Sequence, residues 1–544
     1  MKKIRKIAIT GLVIAILTVS FGFKSDFFEV AKQIEIYTTL FKELNMYYID
    51  ETNPAELTET AIDNMLKELD PYTKFYDEQG VEKARINAAG NHGGIGAETK
   101  IINHKLYITE PYENMPADEA GLKAGDEITK IDDFKLNETT VKDAQFMLSG
   151  VPESEVILKI NRQGKTFETT INRSSIELNP VPYYKLLDNN TGYISFIKFN
   201  QNSSQKVREA YEDLKSQGMD KLILDLRGNG GGLINEAVEI TNFFIPKDEV
   251  VVTTKAKVKK WSDVYKTKRE PIDADIPLVV LINDTSASAS EIVAGSLQDL
   301  DRAVIIGNRS FGKGLVQRFR KLTYGTQLKL TIAKYYTPSG RCIQELDYAH
   351  KIDNGDVPKF SDKKRNAFKT RNGRTVYDGG GIEPDISLSK NKKTIATEAL
   401  LNSEAIFMYV NEYVHNNKES INTDNFNLTD SDFENFKNYL KLNPEVIQTE
   451  ADKQLSETEK SLEKENLNEK IQPAIASLKS AILTQKLTAI DADKEIVKDA
   501  LLYEIIRRYA YKKGEFKHRI THDNAVLKAQ EVLNNKAKYD KILQ

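Results

Sequence analysis

Asn283-Asp-Thr-Ser-Ala-Ser-Ala-Ser-Glu-Ile292 stands between an apolar run, Pro277-Leu-Val-Val-Leu-Ile282, and a second segment, Glu291 to Leu300. The run predicts a buried strand; the segment predicts a helix, because its apolar residues recur on one face. The serines therefore fall at a strand-to-helix turn. A hydroxyl there faces the helix N-terminus, where free N–H groups and the dipole favour the negative charge that develops on an acyl-transfer oxyanion. Small hydroxyl residues are also good helix N-caps, and this stretch alone leaves both readings open.

A second stretch bears on the choice. Ala303-Val-Ile-Ile306 reads as the next strand and runs into Gly307-Asn-Arg-Ser-Phe-Gly-Lys-Gly-Leu-Val-Gln317. A serine nucleophile needs a base, ordinarily His. The six histidines stand at 92, 104, 350, 415, 518 and 522, none of them between 105 and 349, so a Ser-His-Asp triad from nearby sequence is disfavoured. Lys serves instead only if its pKa falls from about 10.4 to near neutral, a change of about 4 kcal/mol that apolar burial supplies. Lys313, between two glycines and beside Phe311 and Leu315, suits that requirement. Gln317, four residues on, lies on the same side as Lys313 in a helix or a strand, where its amide could hold the amine.

Four motifs together resemble the C-terminal processing peptidases, the tail-specific PDZ-containing serine peptidases with a Ser-Lys dyad. They are Leu222-Ile-Leu-Asp-Leu-Arg-Gly-Asn-Gly-Gly-Gly232, the Ser-Ala-Ser-Ala-Ser-Glu segment, Gly312-Lys-Gly314 with Gln317, and Tyr335-Tyr-Thr-Pro-Ser-Gly340, all within a match over about residues 40 to 390. The resemblance implies Ser288 as nucleophile, Lys313, 25 residues later, as general base, and Gln317 as the residue orienting it. It also implies a multidomain α+β chain whose α/β peptidase core is crotonase/ClpP-like, with an inserted PDZ domain and helical N- and C-terminal regions. Gly230 departs from the family's loop, which often carries Pro there.

The remaining sequence fits around that core. A chain of 544 residues allows several domains, and a net charge of −3, from 77 basic and 80 acidic residues, gives no support to nucleic-acid binding. The one cysteine, Cys342, excludes an intramolecular disulfide framework. Lys2, Lys3, Arg5 and Lys6 precede an apolar run from 7 to 23, the form of an export signal or membrane anchor, placing the bulk of the chain on the periplasmic side of the cytoplasmic membrane. Residues 1–24 are thus a signal or anchor, and 25–87 a helical region in which Leu57, Ala61, Ile62, Met65, Leu66 and Leu69 recur at helical spacing until Asp70-Pro71.

Residues 88–173 read as a PDZ module: glycine-punctuated turns (Gly93-Gly-Ile-Gly96 and Ala120 to Asp126) between strands 95–101, 156–160 and 167–171. A glycine turn before an open strand edge can gather a peptide carboxylate while the peptide adds as a further strand. That role falls to Gly94, Ile95 and Gly96; Gly121 and Gly125 read as simple turn residues. The core spans 174–389, with strands near 191–196 and 221–226 and a helix over 203–217. Glycines 228–232 let backbone approach a substrate, so one N–H from Gly231 or Gly232 is expected to join that of Ala289 as the oxyanion hole. Asp225 and Arg227 read as partners that brace this loop.

Gly307-x4-Gly-Lys313 imitates a phosphate-binding loop, but Gly314 stands where a Mg²⁺-binding Ser or Thr belongs, and no metal-site spacing occurs, so no cofactor or metal is expected. Residues 390–544 read as a helical extension: a capping box at Ser431-x-x-Glu434, an apolar stripe through Val497, Leu501 and Ile505, and a solvated Lys/Glu face over 450–470. It could pack on the core, serve an adaptor or pair two chains as a homo-oligomer. The expected activity is an exported endopeptidase acting on polypeptides with free C-termini. The alternatives are an inactive PDZ scaffold on a peptidase fold, and a hydratase or thioesterase on a related fold, which leaves the peptide-binding module unexplained.

Overall fold

The computed structural model describes residues 27–544 except 90, 139, 349, 351–356, 361–364, 390–391, 418–420 and 424; the proposed signal or anchor lies outside the described residues. The chain forms two bodies: residues up to Asp77 with Phe319–Leu330, and Glu78–Arg318 with Thr331–Gln544. The first holds helices over 27–47 and Pro54–Lys67, then a strand, Lys74–Tyr76, paired antiparallel with Gln327–Lys329. Asp70 turns the chain there, accepting from the N–H groups of Tyr72 and Thr73 at 2.9 Å each.

The second body carries the expected α/β core. Six strands lie in the order Tyr183–Leu187, Thr191–Ser195, Lys221–Asp225, Leu278–Ile282, Val304–Gly307 and Ile386–Ser387, the first pair antiparallel and the rest parallel. The apolar runs are explained by burial on both faces. Leu222, Leu224, Leu278, Val280 and Ile282 face one side with helices Ser203–Ser216, Ile234–Asn242 and Ala289–Asp299. Ile223, Val279, Leu281, Val304 and Ile306 face the other.

That second face is covered from the far end of the chain. Ala525, Val526, Ala529, Val532 and Leu533 of helix Asn524–Leu533, with Tyr539 of Lys536–Leu543, pack against it. Each buried Val or Leu side chain among them contributes about 1.5–3 kcal/mol. The Tyr539 hydroxyl also accepts from Leu278 N–H at 3.0 Å, within the layer. The extension therefore packs on the core at its end, while Val497, Leu501 and Ile505 enter a separate helical core with Phe433, Phe436 and Leu440. The cap of helix Asp430–Leu442 is Thr429, not Ser431: Thr429 N–H donates to Asp432 at 2.8 Å and Asp432 N–H to the Thr429 hydroxyl at 3.2 Å. Asp performs the part assigned to Glu434, which moves the helix start back by two residues.

The sheet of the module expected to be a PDZ domain runs Ala97–Ile102, Lys105–Pro111, Glu127–Ile131, Glu155–Arg162, Lys165–Asn172, with Phe134–Lys135 beside the third strand. Among the described residues Ala97–Ile102 pairs on one side only, leaving an edge next to helix Val141–Met147.

Tyr539→Phe should lower unfolding stability by about 1–3 kcal/mol, read from the urea midpoint, because the buried Leu278 N–H loses its acceptor. An unchanged midpoint would mean that the Tyr539 hydroxyl adds nothing to the packing of these helices.

Candidate active site

Three adjacent parallel strands, Lys221–Asp225, Leu278–Ile282 and Val304–Gly307, release their chains at one end of the sheet, and the segments 226–232, 283–291 and 308–314 follow directly. Open α/β sheets place ligands at this carboxyl end. The turn 283–288 delivers helix Ala289–Asp299, with Ser288 at its N-cap.

The three serines differ in what their hydroxyls touch. Ser286 is buried and donates to Leu226 O at 2.8 Å; Ser290 is buried and donates to Asn229 O at 2.8 Å. Both hydroxyls stitch the serine turn to the glycine loop. Ser288 is only half-buried, and its backbone stands at φ 56, ψ −112, a left-handed conformation that costs a non-glycine residue about 1–3 kcal/mol. Its main chain is held at both ends: N–H donates to Glu291 Oε2 at 2.7 Å, and the carbonyl accepts from the buried Tyr335 hydroxyl at 3.2 Å.

Glu291 organises the site. Its Oε2 accepts from Ser288 N–H at 2.7 Å and Lys313 N–H at 2.9 Å; its Oε1 accepts from the Ser310 hydroxyl at 2.6 Å and Gly312 N–H at 2.7 Å. The backbone nitrogens of Ser288 and Lys313 thus touch one oxygen atom. Burial pushes the Glu291 carboxyl up to about 7 against the pull of these four donors. In the sequence Glu291 stands out only as the end of the serine motif and the start of the predicted helix. The signal was available in Ser288-x-x-Glu291, the spacing of a capping box.

Lys313 is half-buried just before strand Leu315–Lys321, in which Gln317 lies; Gln317 Nε2 donates to Thr331 Oγ1 at 3.2 Å. Gly314 N–H donates to Gln344 Oε1 at 2.8 Å, and a Cβ at Gly314 would stand 2.8 Å from Gln344 N. The glycine that spoils the phosphate-loop pattern has a packing reason.

Gly231 sits against the serine turn, where an added Cβ would lie 2.8 Å from Ala289 N and 2.6 Å from Ala287 O. Its own N–H, however, donates to Asn229 Oδ1 at 2.9 Å. Of the two glycines expected to offer a donor, Gly231 thus has its N–H engaged by the loop's own Asn. Asn229 also donates to Phe196 O at 2.9 Å, and Asn283 Oδ1 accepts from Gly228 N–H at 3.1 Å. Asp225 and Arg227 bind one another through Arg227 Nε and Nη2 at 2.6–3.1 Å. Burial acts to raise the Asp225 carboxyl, but Arg227's charge and hydrogen bonds outweigh it and hold the group below the usual range.

In the PDZ sheet, Gly94, Ile95 and Gly96 form the turn between strand Asn91–Gly94 and the open edge at Ala97. Gly96 takes φ 73; its carbonyl accepts from Tyr112 N–H at 2.9 Å and that of Ile95 from Ala117 N–H at 2.8 Å. The turn is fixed through its carbonyls. Gln145 of the neighbouring helix donates to Thr99 O, on the edge strand, at 3.0 Å.

Residues 190–352 match the model of peptidase family S41, 107–162 that of a PDZ domain, and 396–533 that of the C-terminal helical domain of a probable PDZ-protease. A carboxy-terminal-processing protease of Bartonella bacilliformis is 37% identical over 323 residues, which cover 58% of this chain and 73% of its own length. The chain belongs to the carboxy-terminal-processing proteases of family S41. It is a serine-type peptidase with a PDZ domain. A probable CtpA-like serine protease of Staphylococcus aureus is 33% identical over 307 residues, 56% of this chain and 61% of that protein. Among solved structures, the photosystem II D1 C-terminal processing protease shares 27% identity across 66% of this chain and 88% of its own, at a TM-score of 0.36.

In a Glu291→Gln variant of this protease, one pair of N–H or O–H donors faces an amide NH₂ instead of oxygen. Cleavage should fall about 100-fold in kcat. Glu291's folded pKa lies above its unfolded value, so the folded chain retains a proton that the unfolded chain releases. That contribution is complete below about 4.5 and lost as pH rises through about 7. Parent stability relative to Glu291→Gln, measured by urea unfolding, should therefore decline between about pH 5 and pH 8. A pH-independent difference would contradict the assignment.

Proposed function

We propose that this protease is an exported endopeptidase that takes hold of a substrate's free C-terminus and cuts the chain nearby with Ser288 and Lys313. The observation that supports the pairing most is the single Glu291 oxygen shared by both residues' N–H groups. Ser288 is the one of the three serines that is not fully buried, and it stands in a strained turn at a helix N-terminus, as suits a nucleophile.

In this reading the Lys313 amine takes the Ser288 hydroxyl proton as Oγ attacks the scissile carbonyl. The resulting oxyanion is held by the N–H groups of Ala289 and Gly232. Collapse breaks the C–N bond, and Lys313 returns the proton to the departing amine. It then removes a proton from the water that attacks the acyl ester; collapse breaks the C–Oγ bond, and Lys313 hands that proton to Oγ as Ser288 leaves. Gln317, whose amide nitrogen donates to Thr331 Oγ1, offers its oxygen to orient the Lys313 side chain.

The substrate's tail adds to the edge Ala97–Ile102 while its carboxylate meets the turn Gly94–Gly96, and tethering raises the local concentration of scissile bonds. The basic start and apolar run at 7–23 support export, with the chain soluble or anchored on the periplasmic side.

The test uses the chain lacking residues 1–24 and a loosely folded substrate with an apolar free C-terminus, or the same substrate amidated. The parent should cleave the free form faster than the amidated one, and Ser288→Ala and Lys313→Ala should show no cleavage. Cleavage surviving either alanine change would remove that residue from the mechanism, and indifference to amidation would remove tail capture.

A further inference from the structure

The C-terminal helices do more at the site than cover the sheet. Arg227, one peptide bond ahead of the loop Gly228–Gly232, is almost wholly enclosed, its side chain 14% exposed. Asp225 occupies Nε and Nη2 of its guanidinium, and Nη1 turns the other way, to Asp523, with 3.0 and 2.9 Å to the two carboxylate oxygens. Asp523 is itself immobilised as the N-cap of Asn524–Leu533, accepting from Ala525 N–H at 2.8 Å and Val526 N–H at 3.1 Å. Its side chain is 11% exposed, and Arg519 Nε lies 3.9 Å from Oδ2.

The two carboxylates take different edges of one planar cation, so together they fix the rotation of its plane as well as its position. Asp225 is tied in turn to the sheet by the Tyr193 hydroxyl at 2.7 Å. A rigid chain of contacts thus runs from a helix near the end of the polypeptide, through Arg227, to the first peptide of the glycine loop. The loop's other end meets the serine turn, where Gly231 abuts Ala289.

We propose that Asp523 is a positioning residue of the peptidase: through Arg227 it sets the glycine loop in the place from which that loop stabilises the transition state. The proposal rests on the reading of Ser288 as nucleophile and of the loop as an oxyanion donor. It gives the helical extension a part in catalysis, and it makes the centre incomplete until residues some 235 positions beyond the nucleophile have folded onto the sheet.

The substitution Asp523→Asn separates the two duties of this side chain. Asn keeps an oxygen for the cap N–H groups but removes the charge and one of the two Nη1 acceptors. In the full chain lacking only residues 1–24, kcat should fall about tenfold at unchanged KM, with a thermal midpoint close to the parent's. Arg227→Gln should be slower still, and Arg227→Gln with Asp523→Asn should be no slower than Arg227→Gln alone, because Asp523 acts only through the cation. A parent-like kcat for Asp523→Asn would overturn the proposal, as would a double variant whose loss is the product of the two single losses. Ser288→Ala, run in parallel, tests the underlying reading separately: parent-like cleavage there would remove the nucleophile, whatever Asp523→Asn does.

Discussion

One buried carboxylate holds the candidate active site together. Glu291 arises from the first turn of a helix, yet its four donors come from two separate segments, one after each of two neighbouring strands. Placing a carboxylate in so enclosed a position is costly unless hydrogen bonds replace the lost water. Here four donors offset part of that cost, though burial still pushes the carboxyl up to about 7, and the requirement runs both ways: the carboxylate needs the two loops close, and the loops' buried N–H groups need an acceptor. Ser288 can then sustain a backbone conformation that an unsupported serine would leave, with Tyr335 closing the opposite side of the same peptide.

The sheet beneath imposes the second constraint. Its central strands are apolar on both faces, so two layers must cover them. The three helices inside the core segment supply one layer. The other is Asn524–Leu533 and Lys536–Leu543, so a sheet begun near residue 183 is finished at the end of the chain. This arrangement turns the C-terminal extension into part of the peptidase while the intervening helices build a core of their own around Phe433 and Phe436.

Much of this was legible because the signals are local. The runs 277–282 and 221–226 have the length and composition of buried strands, and the strands and helices of the core stand within a few residues of where periodicity put them. The lack of His between 105 and 349 is plain in the sequence and bears directly on which base is available. What stayed hidden was long-range. Asp523 lies 296 residues from Arg227, and no spacing rule connects them. Tyr335 was legible as part of a motif, but its hydroxyl bond to the Ser288 carbonyl depends on tertiary packing. The occupation of Gly231 N–H by Asn229 is short in sequence yet turns on loop geometry that glycine content alone leaves open. The helix start at Thr429 was missed for a simpler reason: Asp can close a capping box as Glu does, and two overlapping candidates stood two residues apart.

The central claim is that the strained turn presents one hydroxyl, that of Ser288, for chemistry and commits its neighbours to holding the glycine loop. The most direct measurement is to inactivate the protease with a phosphonofluoridate and map the adduct by mass spectrometry of the peptide spanning 283–302. The account predicts a single phosphonyl group on Ser288. An adduct on Ser286 or Ser290, or full inactivation with all three serines unmodified, would contradict it.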